Sequence, residues 1–348
     1  MTSKQRIKAL LENKSIDRSP VAGWFHMPLL DRNVTDFTQA LISTRDYYGW
    51  DFIKVMTNGH FMTEAYGGEI EFSQNPLNWY GTVIRYPVRD PHDAAKLPVL
   101  NAKTNPLFKR EVAIVKNLVK HYKKEVPIIA TIFNALTSFQ ELNASLNPLF
   151  TQVMIRHHKE ELHKALRSIQ QTNKNYLDAL IAEGIDGIFL VNQYAAKHII
   201  TSKEYDEFVT PYDNELLEYI KGKTWFNMAH IHGEKNLWVD KYVDTLYHAL
   251  NWENTPKGIS PGAVSSITKV AKQFPGKVLI TGLDQNHDFV SETNDREEVK
   301  RVLKKRYLRA KKELGSNRFI FGPGCTLPLS VPNYLFTLIR EVAEEEGN

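Results

Sequence analysis

The chain has 348 residues, 42% hydrophobic and 24% charged, with a formal net charge of +4. This composition is ordinary for a globular protein with a sizeable core, and it argues against a disordered, collagen-like or disulfide-built chain. A single cysteine, Cys325, allows no intramolecular bridge and fits a reducing compartment. No run approaches the roughly 20 apolar residues of a membrane helix. Met1–Leu11 is amphipathic and lacks a signal-peptide core. Alternating Arg, Lys and Glu over Arg296–Lys312 read as a solvated helix face and not as a nucleic-acid patch. A soluble, cytoplasmic protein is expected.

In chain order, Thr2 and Gln5 form a capping box that opens a short helix through Leu11. Val21–Phe25 is a first strand. Asp36 caps a helix to Tyr48, stopped by Gly49, and Asp51–Met56 (DFIKVM) is a second strand. From about Phe61 to Leu100 the chain is rich in Gly, Asn, Pro and aromatics, with short β pieces at Glu69–Phe72 and Thr82–Tyr86. This stretch has the look of an insertion or lid, and Phe61, Tyr66, Trp79 and Tyr80 are its aromatic candidates. Pro106–Lys124 is a helix and Val126–Phe133 a third strand. Pro148–Ala182 is a long helical stretch ended by Gly184. Gly187–Val191 is a fourth strand, and Ser202 caps a helix to Ile220. Thr224–Ala229 is a fifth strand leading into His230. Tyr242–Leu246 reads as a short helix and Tyr247–Asn251 as a sixth strand. Pro261–Gln273 is helical, Lys277–Thr281 is the seventh strand, and Asp295–Leu314 is a helix stopped by Gly315. Arg318–Phe321 is the eighth strand, and Val331–Glu345 a closing helix.

Eight strands separated mostly by helices predict the α/β class: one (β/α)8 TIM barrel domain over residues 1–348, with an insertion after the second strand. In that fold the ends of the strands carry the active site. His26, Asn58, His60, Gln193, His230, His232, Asp284 and Cys325 all follow strands directly or nearly so. His230-Ile231-His232-Gly233 and Gly322-Pro323-Gly324-Cys325 each leave an apolar run. Imidazoles two residues apart on a strand share a face, and two imidazoles with one thiolate suit zinc with a fourth position open. Asp51 opens an otherwise apolar strand and is the candidate catalytic carboxylate. His26, Asn58, His60, Gln193, Tyr194 and Asp284 are candidate substrate contacts.

Three segments, Tyr48–Met56 (YGWDFIKVM), Gly282–Asp284 (GLD) and Phe319–Cys325 (FIFGPGC), resemble the uroporphyrinogen decarboxylase superfamily nearly end to end. The likeness is closer to its zinc- and cobalamin-dependent methyltransferase branch, the methylcobalamin:coenzyme M methyltransferase-like proteins. His230–Gly233 lies where those methyltransferases carry His-x-Cys, and Cys325 matches the last cysteine of their zinc motif. Here His232 replaces the middle cysteine. The arginine-rich N-terminal segment of the decarboxylases corresponds to Trp24–Leu30, which contains no Arg, while Asp51 matches a decarboxylase active-site position. The resemblance implies a (β/α)8 barrel and one zinc per chain held by His230, His232 and Cys325. It also implies a methyl group moved from a corrinoid or related donor to a zinc-activated thiol. The alternative it implies is a cofactor-free decarboxylase of a carboxylated substrate that uses Asp51.

Two neutral imidazoles and one thiolate leave a zinc centre at net charge +1, which would lower the pKa of a bound thiol further and make its thiolate a poorer nucleophile. No corrinoid-binding Asp-x-His-x-x-Gly motif is present, so a corrinoid would come on a partner protein. A homodimer is expected on general grounds. No P-loop, Gly-x-Gly-x-x-Gly fingerprint or Gly-x-Ser-x-Gly elbow appears, so nucleotide binding and serine hydrolysis are not expected.

Overall fold

The computed structural model describes residues 1–75, 77, 80–144, 147–255, 261–289 and 295–347. The strands are β1 (Ile53–Val55), β2 (Glu69–Glu71), β3 (Thr82–Arg85), β4 (Ile128–Phe133) and β5 (Gly187–Asn192). They continue with β6 (Met228–Ile231), β7 (Ala249–Trp252), β8 (Val278–Leu283) and β9 (Ile320–Pro323). Seven of them form one parallel sheet in the order β1-β4-β5-β6-β7-β8-β9. Helices cross between neighbours, as parallel connections require.

The sheet curls until its two edges meet the segment at Val21. Val21 forms a parallel bridge with Phe321, and Ala22 N–H donates to the Phe321 carbonyl. On the other edge Asp51 N–H donates to the Val21 carbonyl. The first expected strand, Val21–Phe25, is therefore reduced to this one bridge. Val21 N–H is taken by the Asp51 carboxylate at 2.8 Å and not by a strand neighbour.

Two apolar layers result. Alternate residues of the strands, among them Phe52, Ile129, Phe189, Phe226, Met228, Ile280 and Ile320, fill the interior with Trp24. Ile7 and Leu10, on the helix Ser3–Leu11, join the same cluster and plug the end where the strands begin. The larger core lies outside, between sheet and helices. Between β1 and β4 the chain forms the helix Phe61–Ala65, the antiparallel β2–β3 hairpin and the helix Pro91–Ala95.

Several boundaries differ from expectation for local reasons. The helix Val34–Tyr48 is capped by Asn33, whose side chain accepts from Asp36 N–H. Asp36 sits in the first turn, where its charge suits the helix dipole. Thr201, and not Ser202, caps the helix Ser202–Phe208, in a capping box with Glu204. That segment breaks before a second helix, Thr210–Ile220. The long stretch Pro148–Ala182 breaks at His158, whose φ of −136° and ψ of 50° leave the helical region, giving Leu149–His157 and Lys159–Ala182. The Asn134-capped helix Ala135–Glu141 went unread in the sequence because it follows β4 without a break. The helix expected from Pro261 begins only at Ile267, where Ser266 supplies the cap. The helical turn expected at Tyr242–Leu246 is a 3-10 turn over Val239–Tyr242. Gly282 and Leu283, expected in a turn, complete β8. No helix among the described residues is long and apolar enough to cross a membrane.

Candidate metal centre

His230 lies within β6, two residues after the interior-facing Met228, so its imidazole shares that face. His232 follows the strand and Cys325 follows β9. Their strands are separated in the sheet by β7 and β8, and the curl brings them face to face. One ligand atom from each of His230, His232 and Cys325 lies within 4.8 Å of the other two. Cys325 Sγ is 3.9 Å from His230 Nε2. Ligand atoms around a tetrahedral zinc, with Zn–N about 2.1 Å and Zn–S about 2.3 Å, stand roughly 3.4–3.7 Å apart. The triad is close to that spacing before any ion draws it in.

The surroundings fix the donor atoms. His230 Nδ1 lies 2.6 Å from Asn251 Oδ1, and Asn251 Nδ2 donates to the Pro323 carbonyl at 2.9 Å. An amide oxygen facing Nδ1 holds the proton there and leaves Nε2 free to ligate. The Phe189 ring stacks on the His230 ring at 5.0 Å. Gly324 is required by contact: a Cβ there would lie 2.7 Å from Glu253 Cα. The turn that carries Cys325 can therefore press against the end of β7.

Among the described residues no ion pair balances Cys325 or Glu253, although Asp284 and Asp288, after β8, pair with Arg306. Burial pushes the Cys325 thiol up, but hydrogen bonds and charge from His230 and His232 outweigh it and hold the thiol well below its usual value. His232 is exposed in a concave mouth. The protein around it pulls its imidazole down, yet the contact with Cys325 and the charges of Glu253 and Glu234 raise it overall. Glu253, directly after β7, is raised to about 7 by burial and by the negative charges of Cys325 and Glu234. Its Oε1 accepts from Gln285 at 2.7 Å, and Gln285 Oε1 accepts from Gly324 N–H. An ionised Glu253 beside the centre would offset the +1 charge expected from two histidines and one cysteine.

The other expected residues divide. His26 is buried, and burial together with the charge of Lys54 lowers it to about 3. Asn58 accepts from His60 N–H, and the His60 ring packs 4.2 Å from that of Tyr80. Gln193 accepts from Gln140 at 3.2 Å and is half-buried. Tyr194 is wholly buried in the outer core, on the helix side of the sheet, away from the interior cluster. Asp284 is spent on its own turn: it accepts from Asn286 N–H and lies 2.9 Å from His287 Nδ1. Of the aromatic group, Phe61 packs edge-on against Phe108 and Phe133 in the core, and Tyr66 bonds Thr172. Trp79 lies outside the described residues.

Asp51 is corrected outright. It precedes β1, at the end of the sheet where the strands begin, and is fully buried. It pairs with Arg6 at 2.5 Å and Arg18 at 2.7 Å, and accepts from Ser3 at 3.1 Å. It clasps the N-terminal helix and the Val21 segment to β1, and no substrate at the mouth reaches it.

Three residues facing the barrel interior or its mouth escaped the sequence reading: Lys54, Asn251 and Glu253. Their signal is strand parity. Lys54 is two residues from the interior Phe52, and Asn251 and Glu253 are two and four from the interior Ala249.

Uroporphyrinogen decarboxylase (URO-D) is the family whose pattern matches, over residues 2–345. The chain belongs to this family. A uroporphyrinogen decarboxylase of Corynebacterium glutamicum (strain R) is 28% identical over 152 residues, 44% of this chain and 41% of that protein. The match thus spans less than half of that decarboxylase. A methylcobamide:CoM methyltransferase, MtbA, of Methanosarcina acetivorans is 22% identical over 252 residues, 67% of this chain and 70% of that protein. Among solved structures, a methyltransferase from Methanosarcina mazei superposes with a TM-score of 0.81 at 15% identity, covering 99% of both chains. A B12-independent methionine synthase from Shewanella sp. W3-18-1 gives 0.57 at 15% identity, covering 95% of this chain and 98% of that one. The seven-stranded parallel sheet is in keeping with the TIM-barrel-like fold of this URO-D family member.

Proposed function

We propose that this chain is a zinc-dependent methyltransferase that moves a methyl group from a corrinoid or related donor to a thiol. The observation that carries this reading is the convergence of His230, His232 and Cys325, with His230 Nδ1 tied to Asn251. His230 Nε2, one His232 nitrogen and Cys325 Sγ would hold the ion. A zinc ion there would supply the Lewis acidity that makes a thiol ionise at neutral pH. We assign the proton the thiol loses to Glu253, whose carboxylate lies directly after β7 beside the Gly324–Cys325 turn. Sulfur then forms the new S–C bond as the donor's bond to the methyl carbon breaks. The donor, on this reading, comes with a partner protein, since the chain shows no corrinoid motif. The decarboxylase alternative is weaker because Asp51, the carboxylate that would stabilise its developing cation, is committed to Arg6 and Arg18 at the far end.

The test is elemental analysis of protein purified with ample zinc, wild type beside Cys325→Ser. About one zinc per chain, lost in the variant, is the expected outcome. Zinc fully retained by Cys325→Ser would refute the ligand assignment, and a metal-free wild type would end the methyltransferase reading.

A further inference from the structure

The barrel interior holds a cation that the reaction above does not use. Lys54 is 5% exposed. Phe52, two residues before it, and Met56, two after, both pack with the interior cluster, so the Lys54 side chain also points into the barrel. An ammonium carries three N–H donors. Among the described residues its one hydrogen bond goes to the Met56 sulfur at 3.1 Å, a weak acceptor. Its Nζ lies 4.6 Å from the Phe189 ring centroid and 5.7 Å from that of Trp24. No carboxylate among the described residues pairs with it. Arg6, the other Lys or Arg buried among them, pairs with both Asp17 and Asp51.

The placement is specific. Phe189 has His230 stacked at 5.0 Å and the Lys54 ammonium at 4.6 Å, so Lys54 stands one aromatic ring from the metal centre. The charge of Lys54 acts on His26 and on Cys325. Beside His26 and Thr326, the residue after Cys325, opens a cavity of about 270 Å³ lined also by Leu77, Leu327 and Pro328. A methionine or leucine at position 54 would fill the same interior without a buried charge. A lysine with most of its donors unspent is costly there unless a ligand supplies the acceptor.

We propose that Lys54 is a specificity-determining residue whose ammonium receives a carboxylate or similar oxyanion of the compound bound between His26 and the His230–His232–Cys325 centre. This rests on the reading above for where that compound sits. It assigns the anion-binding role to β1, in a chain whose N-terminal segment Trp24–Leu30 has no arginine to perform it.

The test titrates ω-mercapto acids of two to four carbons, and the matching mercapto alcohols, calorimetrically into the zinc-loaded protein. Wild type should bind at least one acid about tenfold more tightly than its alcohol, the worth of one charge-assisted hydrogen bond. Lys54→Met should erase that preference and leave alcohol binding unchanged. Lys54→Gln repeats the measurement should the methionine variant fail to fold. No preference in wild type, or a preference that survives in the variants, overturns the proposal. Propionate, which lacks a thiol, separates the two readings. If the thiols do not bind but propionate binds wild type and not Lys54→Met, the methyl-transfer reading fails and the Lys54 assignment stands. If alcohols and acids bind equally well, Lys54 is not the anion receptor and the thiol reading survives. If nothing binds, both fall.

Discussion

The two ends of the barrel treat buried charge in opposite ways. Where the strands begin, Asp51 is enclosed by Arg6, Arg18, Ser3 and the Val21 amide. Asp186 there meets Lys4 and the Trp225 indole, each 2.9 Å or closer. In the interior below the other end Lys54 has a thioether and two aromatic faces, and at that end Cys325 has two imidazoles. The first end has completed its electrostatics within the chain. The second pairs Asp284 and Asp288 with Arg306 but leaves Lys54, Glu253 and Cys325 to be completed by something that binds. Buried charge is costly unless paired, so a cluster of incompletely paired groups at one end of a sheet marks where ligands enter. It is a better guide than the mere presence of an acid in a strand.

The sharpest way to break this comparison is at the paired end. Asp51→Ala should destabilise the protein by about 3–5 kcal/mol, because it leaves buried guanidinium groups without their carboxylate. Denaturant unfolding measures this, and zinc content should stay at the wild-type level. Loss of zinc in that variant would mean the ends are not independent.

At the open end, Asn251→Ala removes the acceptor that orients His230. Zinc affinity should fall about 10–100-fold, read by competition with a chromogenic chelator. An unchanged affinity would show that ring stacking on Phe189 is enough to hold the imidazole.

Asp213 sharpens the comparison in a third place. It is buried behind the sheet with Asn134 at 3.3 Å and, among the described residues, no cation beside it, and burial raises it to about 7. A carboxyl raised on folding gives stability that is full below its unfolded value near 4 and is lost as pH rises through 7. In Asp213→Asn that loss should shrink, by on the order of 1 kcal/mol between pH 4 and 7. Stability curves of equal slope would show that Asp213 is already ionised in the native protein. A solitary acid behind the sheet is thus expected to be neutral and structural.

Much of this was legible in the chain. Continuous apolar runs such as Ile128–Phe133 mark strands covered on both faces, and Gly49 and Gly315 mark helix ends at φ of 67° in both. The metal candidates were legible because His-x-His and the lone Cys325 each leave an apolar run. Asp51 was misread because an acid at a strand gives no sign of which end of the barrel it faces. Lys54 was passed over for the opposite reason: one lysine within DFIKVM resembles an ordinary surface residue until the strand's parity is anchored by Phe52.

By itself the sequence determined most of the element types and their order, because periodicity, caps and glycines act over a few residues. It also supplied the ligand chemistry, because only imidazole and thiolate among these side chains suit a soft divalent ion. The tertiary structure alone decided which strand ends converge, since His230 and Cys325 are brought together by the curl of a sheet whose closure depends on Val21 and Asp51. It alone decided which charges are paired. Pairing is a property of distance between residues far apart in the chain, and no local pattern carries it.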